Sequence, residues 1–81
     1  NSTLNEVPFL NEIKIYPNPF SNYLRIFGEN IQSLKIYDSF GRIVYEDENK
    51  NSIENINWVK GLYIIRIEER NNINLFKIIK E

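Results

Sequence analysis

The sequence predicts an all-β fold, an antiparallel β-sandwich of about seven short strands with Ig-like, Greek-key connections, and three observations carry that prediction. Apolar residues alternate with polar ones in short runs, and turn residues punctuate the runs. No segment sustains a helical period. The 81 residues include fourteen Ile, thirteen Asn and no Ala. Branched Ile suits a pleated strand, Asn suits turns, and the strongest helix former is missing.

Residues 1–12 mix polar residues with Val7-Pro8-Phe9 and read as a linker or an irregular first strand. Residues 13–81 read as the folded domain. Ile13-Lys14-Ile15-Tyr16 alternates as a strand, and Pro17-Asn18-Pro19 ends it. Each proline lacks an N–H and biases the residue before it, here Tyr16 and Asn18, toward extended backbone. Residues 23–27 form the next strand, and Gly28-Glu29-Asn30 turns the chain. Residues 34–37 and 42–46 are strands joined by Asp38-Ser39-Phe40-Gly41. That loop suits a type I turn closed by a left-handed glycine bulge.

Residues 46–52 are charged and polar and read as an exposed loop. Ile53-Glu54-Asn55-Ile56-Asn57-Trp58 is ambiguous. Its apolar spacing fits one helical turn, whereas its Asn content and shortness favour a strand or loop. After the Lys60-Gly61 turn, residues 62–68 give the strongest strand pattern in the chain. Asn71-Asn72, tolerant of left-handed geometry, reads as a tight hairpin turn into a last strand over 73–80. Tyr63, Ile65 and Ile67 are expected to face the core from one strand, and Phe76 and Ile78 from its neighbour.

Composition narrows the chemistry. With no Cys there is no disulfide and no thiolate, and with no His the commonest general base and metal ligand is gone. An enzyme would have to rely on carboxylates, Lys, Tyr or Ser, and no spacing points to such a site. Glu68 and Glu69 are adjacent on a strand, so they point to opposite faces and cannot pair as a glycosidase dyad. Glu46-Asp47-Glu48 lacks the ligand spacing and turn glycine of a calcium loop and reads as solvated surface. Three Gly are too few for a phosphate-cradling loop. Trp58 reads as a core side chain in preference to a sugar-stacking platform. No catalytic residue, metal or cofactor is expected.

Ten basic and eleven acidic residues leave a net charge of −1, which gives no electrostatic reason to expect nucleic acid. No apolar run approaches the roughly 20 residues of a membrane-spanning helix. Asn1-Ser2-Thr3-Leu4-Asn5-Glu6 lacks the basic start and apolar stretch of a signal peptide, and the chain reads as a piece of a longer protein.

Four elements in order resemble one known family. Tyr16-Pro17-Asn18-Pro19 follows a short apolar strand. Leu34-Lys35-Ile36-Tyr37-Asp38-Ser39-Phe40-Gly41-Arg42-Ile43-Val44 places Asp38 and Gly41 between two apolar strands. Gly61-Leu62-Tyr63 opens the next strand, and Lys77-Ile78-Ile79-Lys80-Glu81 closes the chain. No one element is specific, but the ordered set resembles the C-terminal sorting domain of type IX secretion cargo. Glu81 departs from the basic residue with which such domains often end.

The resemblance implies a non-catalytic signal that directs a covalently attached N-terminal cargo domain across the outer membrane. Its implied partners are the type IX translocon and a sortase-like processing peptidase that removes the domain. Its implied destination, reached through the periplasm, is the cell surface or the medium. Within it, Lys77, Ile78, Ile79, Lys80 and Glu81 are the expected recognition residues, because an outermost strand offers unpaired backbone groups to a partner. Tyr16, Pro17, Asn18 and Pro19 read as a rigid strand exit, and Gly41 and Gly61 as backbone requirements. The alternatives are a fibronectin-like or carbohydrate-binding accessory module and a structural spacer.

Overall fold

The computed structural model describes residues 13–81, so the predicted linker over 1–12 lies outside the described residues. Among them are seven strands and no helix: β1 (Lys14–Tyr16), β2 (Leu24–Phe27), β3 (Ile31–Tyr37), β4 (Ile43–Glu48), β5 (Ser52–Ile53), β6 (Gly61–Glu69) and β7 (Ile73–Lys80). They form a three-stranded sheet in the order β1-β2-β5 and a four-stranded sheet in the order β4-β3-β6-β7. Every strand pair is antiparallel. The chain changes sheet between β2 and β3, between β4 and β5, and between β5 and β6, which is the Ig-like, Greek-key connectivity.

The core lies where the two inner faces meet. Leu24, Ile26 and Ile53 come from the smaller sheet, and Leu34, Ile36, Tyr63, Ile65, Ile67 and Ile78 from the larger. Alternation along β6 turns Tyr63, Ile65 and Ile67 inward, as the pattern predicts, while Phe76 on β7 is half-buried against the same cluster. Phe20 and Ile56 add buried side chains from outside the strands. Trp58 is also half-buried against the core.

Several boundaries differ from expectation for physical reasons. β3 begins at Ile31, earlier than its clean alternation, because it is paired on both sides. β4 runs to Glu48, into the stretch expected to be loop. There Lys35 lies opposite Glu46, with Lys35 Nζ 3.9 Å from the Glu46 carboxylate. The ambiguous segment resolves into Ile53, the second residue of β5, and irregular backbone, with no helical turn. The β6–β7 hairpin closes through the Glu69 N–H donating to the Asn72 carbonyl at 2.8 Å. Its Asn71 and Asn72 are not left-handed; Asn30, Asn49 and Asn55 are, with φ of 57°, 55° and 55°. Asn tolerates that region because its short amide can bond locally.

Candidate functional site

The site is built first from a pairing that crosses the length of the chain. The segment after β1 carries two prolines, which donate no backbone hydrogen bond. The peptide bonds before Pro17 and Pro19 are both cis. The side chain of Asn18 bonds the strand edge instead. Its Nδ2 donates to the Lys77 carbonyl at 3.1 Å, and its Oδ1 accepts the Ile79 N–H at 3.1 Å. Phe20 continues the line through its backbone. Its N–H donates to the Ile79 carbonyl and its carbonyl accepts the Glu81 N–H, each at 2.8 Å. The Phe20 ring is fully buried, so the strap is anchored in the core.

Among the expected recognition residues, Ile78 is fully buried, Lys77, Ile79 and Glu81 are exposed, and Lys80 is half-buried. The backbone edge over 77–81 is closed apart from the Lys77 N–H. Asn18 and Phe20 already bond the Lys77 carbonyl, both edge groups of Ile79 and the Glu81 N–H. Over that stretch side chains are left to face solvent more than backbone groups are.

The Asp38–Arg42 turn is the second part. The Gly41 N–H donates to the Asp38 carbonyl at 3.0 Å, and the Asp38 N–H to the Arg42 carbonyl at 2.9 Å. Gly41 has φ of 86°, the left-handed bulge that the loop length predicts. The Asp38 carboxylate organises the turn from its side. Oδ1 accepts the N–H groups of Phe40 and Arg42, each at 2.9 Å, and Oδ2 accepts Arg42 Nε at 2.8 Å. The Arg42 N–H first, then the Phe40 N–H and the guanidinium, hold the Asp38 carboxyl below its ordinary value. The Arg42 guanidinium also lies over the Phe40 ring, 5.4 Å from its centroid.

Gly61 and Tyr63 form the third part. Gly61 has φ of 145°, which disfavours any side chain there. Two residues on, the Tyr63 hydroxyl donates to the Val59 carbonyl at 2.6 Å. A Tyr near the start of a strand that bonds back to preceding backbone is the tyrosine corner of Ig-like sandwiches. The Tyr63 ring packs 5.3 Å from Trp58 and 6.4 Å from Phe20. Trp58 lies 6.0 Å from Phe20 in an edge-to-face contact.

These parts meet at one end of the sandwich. Gly61 lies opposite Lys80, Lys80 bridges Phe20, and Tyr37 lies opposite Ile64. A shallow, mostly apolar groove of about 410 Å³ runs between the Asp38 turn and the Trp58–Tyr63 segment. Phe40 and Val59 line it with exposed side chains. The two adjacent glutamates are engaged elsewhere: Glu68 accepts the Ser33 hydroxyl at 3.1 Å and Glu69 accepts Asn74 Nδ2 at 3.2 Å. Among the described residues no three Cys, His, Asp or Glu are grouped to hold a metal ion. What gathers at this pole is amides, carbonyls, rings and one ion pair, an assembly suited to recognition by contact.

Sequence reasoning finds the four motif elements and misses their joint. Phe20 follows a proline pair, where no periodicity reveals a core side chain. The bonds from Asn18 reach residues 59 and 61 positions away, and no local pattern announces them.

A search of the curated proteins returns no match. A family model described as "Secretion system C-terminal sorting domain" matches residues 14–81, which spans all seven strands and every motif element. The chain therefore belongs to the family of C-terminal sorting domains that serve as signals for type IX secretion.

Proposed function

We propose that the chain is an export address read at the pole where residues 16–20, 38–42, 61–63 and 77–81 converge. Its reader is the type IX translocon, and its load is a covalently attached domain on its N-terminal side. Lys77, Ile79 and Glu81 present side chains to that reader. Ile78 and Lys80 hold the strand in place, the first from within the core and the second from a half-buried position. A sortase-like peptidase then releases the cargo at the segment before Ile13, and the cargo reaches the cell surface or the medium. The domain contributes shape and no chemical step.

The observation that carries this reading is the Asn18 clamp. It ties the family's opening motif to its closing strand, so residues at the two ends of the match form one surface. The test is to fuse the whole chain behind a periplasm-targeted reporter in a host with a working type IX system. The reporter is expected outside the cell. Retention of the fusion in the periplasm, with the domain folded, refutes the reading.

A further inference from the structure

The edge of β7 is closed along one half and open along the other. In an antiparallel pair, successive residues point their N–H and C=O alternately toward the partner strand and away from it. Ile79 bonds away from β6 through both groups, to Asn18 and Phe20, and so does the Lys77 carbonyl. The same alternation aims the N–H and C=O of Ile73 and Leu75, and the N–H of Lys77, away from β6. Among the described residues nothing bonds these five groups.

The open half has the side chains of a docking strand. Ile73 and Leu75 are 56% and 64% exposed, and both border an apolar hollow of about 530 Å³ on the outer face of the larger sheet. Solvent-facing strand positions usually carry polar side chains, and unpaired edges are usually guarded by charge. Here the charge stands only at Lys77, where the strap begins. The neighbouring amide of Asn18 also demonstrates that this edge takes a peptide-like group, one donor on the Lys77 carbonyl and one acceptor on the Ile79 N–H two residues on.

We propose that the open half of β7, from Ile73 to Lys77, takes an extended polypeptide segment of the export machinery by strand addition. The segment continues the larger sheet beyond its present edge and abuts the Asn18 strap. A row of alternating backbone donors and acceptors matches an extended strand along its whole length. Every second residue of that segment is apolar, packing beside Ile73 and Leu75, and a carboxylate at its end faces Lys77. This inference rests on the sorting role proposed above.

The test uses the full chain fused to the same reporter. Leu75→Pro deletes one outward N–H and leaves the bonds to β6 in place, a position where edge strands tolerate proline. The double variant Ile73→Lys, Leu75→Lys instead guards the edge with charge and keeps every backbone group. Each is expected to lower the exported fraction about tenfold or more, because an incoming strand loses a partner or meets unpaired charge. Glu48→Lys, on the opposite edge of the sheet, leaves export unchanged. Melting temperature separates a folding defect from a docking defect, and the double variant stands in if Leu75→Pro unfolds. Normal export by a folded double variant overturns the inference while the sorting role survives. Failure of the parent fusion overturns the sorting role itself. A photo-cross-linker at position 75 that captures only a second copy of the chain also overturns the inference.

Discussion

Asn18 Oδ1 accepts the N–H of Ile79 at 3.1 Å, across a separation of 61 residues. The same side chain donates to the Lys77 carbonyl, so one residue supplies two of the bonds that fasten the strap to β7. Net contributions near 1 kcal/mol per bond put the cost of Asn18→Ala at about 1–2 kcal/mol. For a domain of this size each kcal/mol lowers the melting temperature by roughly 4–8 °C. A thermal melt followed by circular dichroism checks this. An unchanged melting temperature removes the strap as a structural element.

Tyr63→Phe isolates the tyrosine corner. The ring stays in its cluster and only the bond to the Val59 carbonyl is lost. Val59 is an exposed residue, so water can reach the freed carbonyl, and the expected loss is about 1 kcal/mol. Tyr63→Ala also empties the ring's place in the core, and about 3–5 kcal/mol is expected by analogy with other aromatic truncations. Urea titrations of the two variants give the ratio.

Acid should loosen the Asp38 turn. The fold favours the charged carboxylate, chiefly through the Arg42 N–H, and so lowers its pKa from the unfolded value. The stability this gives is complete above the ordinary carboxylate range and is lost as pH falls through the lowered folded value. Asp38→Asn should be less stable at neutral pH and show a shallower decline as pH drops below the ordinary carboxylate value of about 4. Some acid sensitivity should persist in that variant. Asp47 is also lowered, first by the Glu48 N–H and then by the Tyr45 hydroxyl. Urea midpoints over a pH series read both effects.

Adjacent residues of the last strand should behave oppositely. Ile78 is fully buried, and truncation to Ala should cost about 2–5 kcal/mol. Set against a total of roughly 4–12 kcal/mol for a chain of this length, that leaves a marginal fold. Ile79 is half exposed, and Ile79→Ser should change stability by about 0.5 kcal/mol or less. Its effect should appear in export of a fused reporter. An Ile79→Ser variant that is folded and fully exported removes that side chain from the recognition surface.

Much of the architecture was legible because it is written in period two. Alternation bounds β7 at Ile73 and Lys80, as in the structure, and β6 to within a residue at each end. The polar strand ends were less visible. Gln32 and Ser33 extend β3, and Asp47 and Glu48 extend β4, because paired neighbours supply what side-chain pattern does not. The choice of left-handed Asn was also hidden. Asn30, Asn49 and Asn55 adopt it and Asn71 does not, a decision made by how each loop must meet its strands. At the motif pole, loop length and Gly41 give the turn and its bulge, and period two turns Tyr63 inward, but the Tyr63 hydroxyl bond to Val59 and the grip of the Asp38 carboxylate on its turn leave no mark in the pattern. The contact of Asn18 and Phe20 with β7 leaves none either, since it depends on how the finished sheets bring distant segments together.

The strap has a consequence for synthesis. A nascent chain that has not yet emerged past Ile79 offers Asn18 no N–H to accept, Phe20 no carbonyl to meet, and the core no Ile78. The segment that opens the domain must wait for the segment that closes it. A polypeptide broken off before Lys77 keeps β1 to β6 and still lacks the assembled pole, so the two ends of the motif set are joined only in molecules made through to β7.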